Sequence, residues 1–196
     1  MLEAYNTIKD LYANSGYEAA LTFVDGFAIS LPRDELLKTN FYCYLTIQRN
    51  FKVSDSLTIL QSCLAHPHCK GSIRALTRYH ISQIYFLSDK RSCGNECEEI
   101  ISEFIGSYHM LKERAERSSD EEEELYMLQY IIYYCLLLLG YVRGEEGKKE
   151  ESEGYIKASK NLLKINNKSS QFINASSFRT KSGGQKHRYG NTTVWN

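Results

Sequence analysis

Apolar residues recur at three- and four-residue spacing over most of the first 165 positions. Leu2, Tyr5, Ile8 and Leu11-Tyr12 form one such stripe; Ile73, Leu76, Tyr79-His80, Gln83-Ile84 and Leu87 form another. That period lines one face of an α-helix, which must then be covered by a neighbour. Only two prolines, Pro32 and Pro67, interrupt the pattern. So few breakers favour long helices over many short strands. Eight helices are predicted, near 2–14, 17–30, 33–49, 54–65, 72–88, 95–117, 121–142 and 148–165.

The stretch Leu125–Val142, LYMLQYIIYYCLLLLGYV, is apolar almost throughout. It is about long enough to cross a bilayer. It also holds Gln129 and five tyrosines, and Glu121–Glu124 precede it. A membrane core disfavours that many hydroxyls. The expectation is a helix buried on nearly all sides by other helices, with no membrane partner.

A degenerate repeat underlies the pattern. Residues 16–32, GYEAALTFVDGFAISLP, and 50–67, NFKVSDSLTILQSCLAHP, share an opening aromatic (Tyr17, Phe51), a small residue before Leu-Thr, and a closing proline. Weaker copies follow from Asn95 and from Leu139, and residues 93–125 read as an irregular insertion. A period near 34 with Tyr or Phe, Ala and a terminal Pro resembles the tetratricopeptide repeat over roughly residues 1–166. The implied fold is all-α, a tetratricopeptide-like array of antiparallel helix pairs whose stacking leaves a concave face.

Composition changes abruptly after Ile165. NNKSSQFINASSFRTKSGGQKHRYGNTTVWN is rich in Asn, Ser, Thr and Gly and has no apolar period. Two parts are therefore expected: a helical-repeat body over 1–166 and an extended, basic, aromatic-containing tail over 167–196. Lys168, Arg179, Lys181, Lys186 and Arg188 are the tail's charges, and it has no acidic residue. Of the chain's 24 basic residues, 19 remain in the body against all 24 acidic ones. An acidic body thus carries an arm suited to a polyanion. The arm also holds Phe172, Phe178, Tyr189 and Trp195, the chain's one tryptophan, whereas purely solvating tails lack aromatics.

No basic region followed by an apolar one opens MLEAYNTIKDLY, so no secretory signal is read there. The expected location is cytoplasmic, and the six cysteines are expected as reduced thiols. The Asn-x-Ser/Thr matches at Asn167, Asn174 and Asn191 are then accidental. Cys63, His66, His68 and Cys69, with Cys93 and Cys97 about one helix downstream, could form a zinc site bridging two loops. No CxxC pair is present, and buried thiols with loop histidines are the favoured reading. No metal and no cofactor are expected. GxSxG, HExxH, GxxxxGKS/T and the Rossmann glycine pattern are all missing. Carboxylates occur in runs, as solvated faces do, and not as an acid/base pair. An enzyme with a small-molecule substrate is not expected.

In FRTKSGGQKHRYGNTTVWN, cations alternate with flat groups. Arg and Lys neutralise phosphates, His and Tyr stack on unpaired bases, and Gly admits close backbone approach. Structured or single-stranded RNA suits this mixture better than a duplex groove, which is usually entered by a helix. Gly183-Gly184-Gln185 lies within it. The same tripeptide occurs in eukaryotic release factors at the peptidyl transferase centre. A similar loop followed by basic residues occurs in the large-subunit ribosomal protein lining the exit site. No surrounding release-factor domain is present, so hydrolysis is not carried over.

A helical-repeat body with a short basic Gly-Gly-Gln tail resembles the microsporidian ribosome dormancy, or hibernation, factors. The likeness is architectural over the whole chain and specific over residues 179–195. It implies a non-catalytic protein occupying the tRNA exit-site region of idle ribosomes. Its partners would be rRNA and ribosomal proteins of both subunits. Arg179, Lys181, Lys186 and Arg188 would contact phosphates, and Gly183, Gly184 and Gln185 would make the close approach. His187, Tyr189 and Trp195 would stack or fill a pocket. The alternative is a tetratricopeptide-like adaptor subunit of a cytosolic complex, holding a peptide on the concave face.

Overall fold

Helix boundaries follow local chemistry more closely than the hydrophobic period. The computed structural model describes residues 1–50 and 52–164. Their regular structure is helical: α1 Leu2–Ser15, α2 Tyr17–Asp25, α3 Pro32–Gln48, α4 Val53–Leu64, α5 Gly71–Ser88, α6 Lys90–Glu113, α7 Ser119–Glu145 and α8 Lys149–Lys164. Gly16, at φ +88°, breaks α1 from α2. This is a backbone conformation that glycine adopts without a Cβ clash.

Two boundaries differ from expectation. The second helix stops at Asp25 and not near residue 30: Gly26 stands at its C-cap, and glycine continues a helix poorly. Leu31 is extended, at φ −129° and ψ 154°, and Pro32 takes the first helical position. Asp34 then accepts from the backbone N–H groups of Ser30 and Leu31 at 3.0 and 2.8 Å. The sixth helix begins at Lys90 and not near residue 95. Asp89 caps it, accepting from Arg91 and Ser92 N–H at 3.1 and 3.3 Å. That cap and the burial of Cys93 and Cys97 outweigh the roughly 1 kcal/mol cost of Gly94 in a helix. The segment read as an irregular insertion is therefore one regular helix and a short turn. Arg117 closes the turn by donating to the carbonyls of Leu111, Lys112 and Arg114. Ser118 and Glu121 form a reciprocal capping box that opens α7.

Each helix packs on the next, as helix pairs do. The odd-numbered helices also meet one another: α3 packs on α5, α5 on α7, and α1 touches both α3 and α7. The even-numbered helices lie against these inner four. An open array would hold α1 and α7 at opposite ends. Here the first helix closes onto the seventh, and facing side chains fill the middle. Tyr5 lies within 5.2 to 6.2 Å, ring to ring, of Tyr44 and Phe41 on α3, His80 on α5 and Tyr130 on α7. The concave face expected of a repeat array is thus occupied by the protein's own aromatics.

The long apolar helix α7 passes a length-and-composition test for a membrane span. Its side chains from Leu125 to Cys135, apart from Tyr126, are nevertheless buried within the fold, as are Leu138, Leu139 and Val142. α8 seats on it at a glycine. A Cβ on Gly140 would stand 2.8 Å from Ile156 Cγ1 and 3.3 Å from the Ser152 carbonyl. Ser152 Oγ donates to the Gly140 carbonyl at 2.6 Å. Gly140→Val is expected to overpack this crossing and cost about 1–3 kcal/mol, measured by urea unfolding. Wild-type stability in the variant would show that α8 can move outward freely.

Candidate functional site

The inner helices bring together a set of buried polar groups. Lys9, on α1, is 8% exposed. Its ammonium donates to Tyr130 Oη at 2.6 Å and lies 5.0, 5.1 and 6.0 Å from the ring centroids of Tyr130, Tyr134 and Tyr5. Ring faces stabilise a desolvated cation only partly. Burial accordingly lowers the Lys9 pKa to about 8. The Tyr130 ring also stands edge-on to that of Tyr5, with centroids 5.7 Å apart.

The remaining links fix the proton positions. Asn40 Nδ2 donates to the Leu36 carbonyl at 2.8 Å and to Thr77 Oγ1 at 3.0 Å. Its Oδ1, 3.2 Å from His80 Nδ1, must therefore accept. His80 carries its proton on Nδ1, and Nε2 accepts from Tyr5 Oη at 3.1 Å. Thr77 Oγ1 donates to the Ile73 carbonyl at 2.8 Å. The result is a directed chain, Tyr5 to His80 to Asn40, ending on helix carbonyls, with the Lys9–Tyr130 pair beside it. Together they tie α1, α7, α5 and α3. Burial holds the His80 pKa down at about 3, so the ring stays neutral.

Such a chain orients protons but offers no place for a substrate. A cavity of about 360 Å³ opens elsewhere, between the ends of α1, α3, α5 and α7. Phe27, Leu37 and Ile73 supply apolar lining, and Arg33, Asp34, Lys70, Asp120, Glu123 and Glu124 supply charge. Glu124 is already committed: its Oε1 accepts from Ser72 N–H at 2.8 Å and its Oε2 from the Ser72 hydroxyl. It thereby caps the N-terminus of α5. Gly71, at φ +53°, makes room for this carboxylate, since a Cβ there would meet Oε1 at 2.6 Å.

The cysteine-histidine group is divided by the fold. Cys63 and Cys69 are buried, while His66 and His68 lie exposed in the turn after α4. Cys93 and Cys97 sit on α6, fully buried, where Cys97 hydrogen-bonds to Cys93 and to Cys135 on α7. Burial pushes the thiols of Cys63, Cys69 and Cys97 up. The hydrogen bond with Cys97, followed by burial, does so for Cys93. Protonated thiols neither attack nor ligate well. Among the described residues, no three His, Cys, Asp or Glu side chains converge to hold a metal ion.

The tail residues assigned to RNA contact, from Arg179 to Trp195, lie outside the described residues. No family model, curated protein or solved structure matches the chain.

Lys9 was absent from the sequence reading. Its only signal was position, one turn after Tyr5 on the apolar face of α1. Lys9→Met is expected to stabilise the protein by about 1–3 kcal/mol near pH 7, because a charge is no longer desolvated. The sign follows from linkage: the folded pKa lies below the unfolded one, so the penalty is complete below about pH 8 and fades as pH rises toward 10.5. Urea unfolding of both proteins from about pH 7 to 9.5 checks this. A gain that did not shrink with pH would assign the effect to packing.

Proposed function

We propose that this chain is a non-catalytic, ribosome-binding hibernation factor of the cytoplasm. It would occupy the tRNA exit-site region and block translation by occupancy. The observation that carries the proposal is the separation of charge and chemistry along the chain. Residues 167–196 hold five cations, no acid, four large aromatics and Gly183-Gly184-Gln185. The 24 acidic residues all belong to the helical body. Cations interleaved with stacking groups suit phosphate and exposed bases, and an acidic body suits basic ribosomal proteins.

The filled interior adds support from the other side. A peptide-holding adaptor needs an open concave face, and Tyr5, Lys9, Tyr130 and Tyr134 occupy that position. An adaptor would have to use outer helix faces or the charged cavity instead.

The test is co-sedimentation with 80S ribosomes at low and moderate salt. The full chain is compared with residues 1–166 and with a variant carrying alanine at Arg179, Lys181, Lys186 and Arg188. The expected result is loss of co-sedimentation by the truncated chain. For the variant, the slope of log affinity on log salt should fall by about 3–4. Binding that survives both changes would sink the role given to the tail. Full-length protein that leaves ribosomes unbound would sink the ribosome reading and favour a protein partner.

A further inference from the structure

We propose that Ser119 is a phosphorylation site, read by a protein kinase whose substrate groove is basic. This goes beyond the function above and does not rest on it.

Ser119 lies where the turn between α6 and α7 enters α7. Every residue from Glu113 to Asp120 except Arg117 is exposed. Ser118 spends its hydroxyl as the cap of α7, accepting from Glu121 N–H at 3.2 Å. The hydroxyl of Ser119 makes no hydrogen bond among the described residues. The fold gives this oxygen nothing to do.

Five acids, Asp120–Glu124, follow without a break. Acids gather at helix N-termini for capping and for the dipole, and that accounts for part of the run. Glu121 reaches back to Ser118 N–H at 2.9 Å and pairs with Arg114. Glu124 holds Ser72. Asp120 and Glu122 have no side-chain partner among the described residues. They stand one and three places after Ser119. In an extended chain those two positions share a face, so both would meet one basic surface in a kinase groove. Kinases choose substrates by such charge patterns.

Four other hydroxyls have an acid three places on: Thr7, Ser15, Thr22 and Ser118. Thr7 and Thr22 return theirs to the carbonyls of Glu3 and Glu18, and Ser118 is the cap. Ser15 is followed by Gly16 and not by an acid. Ser119 alone joins a free hydroxyl to acids at both places.

The turn gives a kinase its entry. Arg114 and Ser118 are already extended, at ψ 130° and 164°, and only the first turn of α7 has to open. Helix ends open most readily. Ser119 Oγ then attacks the γ-phosphorus of a nucleoside triphosphate. Its proton passes to the kinase's base, the bond from that phosphorus to the bridging oxygen breaks, and the diphosphate leaves. The new group carries roughly 1.5–2 negative charges and three acceptor oxygens. Arg117, two places away, has a buried Nε without an acceptor. The charge is added beside Asp120, which lines the cavity.

The experiment incubates the folded full-length protein with nucleoside triphosphate and a purified acid-directed serine kinase of the casein kinase class. Mass spectrometry locates the phosphate, and initial rates are compared among variants. A single phosphate on Ser119 is expected. Ser119→Ala should abolish incorporation and Ser118→Ala should retain it. Glu122→Gln should slow it about tenfold, through loss of one charge-assisted contact to the kinase. Thermal melts verify that Ser119→Ala and Glu122→Gln are folded. Phosphate that persists in Ser119→Ala, or that falls on another residue of the wild type, overturns the site. A wild-type rate in Glu122→Gln overturns its recognition through the acids. No incorporation into the folded wild type overturns the proposal outright.

Discussion

Tyr5→Ala is expected to destabilise the protein by about 3–5 kcal/mol, the range for removing a fully buried aromatic ring. Two losses combine in it. The ring is 1% exposed and touches aromatic rings on α3, α5 and α7. Its hydroxyl also donates to His80 Nε2, so its removal leaves that nitrogen without a donor. Tyr5→Phe separates the two, keeping the ring and costing about 1–3 kcal/mol for the stranded partner. Urea unfolding of both variants measures the difference. A loss below about 2 kcal/mol for the alanine variant would mean that closure of α1 onto α7 is incidental to the core.

His80 sets the second large effect, which appears in acid. Its folded pKa is held near 3, below the ordinary 6.5, by burial. The unfolded chain therefore takes the proton first. The stability this neutral ring confers is complete above pH 6.5 and is lost as pH falls toward 3. By about pH 4.5 the loss should reach about 2–3 kcal/mol. Carboxylates held below their usual range, such as Glu103 with Arg74 and Arg78 beside it, lose their contribution only below about pH 4.5. The window from 6.5 to 4.5 thus belongs to the histidine. His80→Gln should be less stable at neutral pH and nearly flat across that window. An equally steep decline in the variant would assign acid sensitivity elsewhere.

Much of the architecture was legible because burial leaves a period in sequence. The stripes through Tyr5 and Tyr79 marked α1 and α5, and the all-round apolar run after Glu124 marked a helix sheathed by others. Boundaries failed where single residues decide: Gly26 ended α2 early, and Asp89 started α6 ahead of its own pattern. Closure was not legible at all. A 3.6-residue period states which face is buried and is silent about what covers it. Lys9 stayed hidden for the same reason, since a lysine among tyrosines has no sequence mark of having lost its water. The thiol reading rested on composition, and the fold supplies its physical reason in the burial of Cys93, Cys97 and Cys135. The tail was legible as chemistry only, through its charges and rings.

The clasp between Lys9 and Tyr130 spans 121 positions of chain. A repeat array grows by adding each unit to the last, and its pieces can stand alone. Here α1 waits for α7 before its buried face is covered. Until then Tyr5 and Ile8 have only part of their cover, and an early fragment presents a sticky stripe to its surroundings. Folding must therefore end in one late, long-range step, with the loop-closure cost met before the reward arrives. The protein should melt as one unit, and a chain cut anywhere before α7 should gain little from the helices it already has.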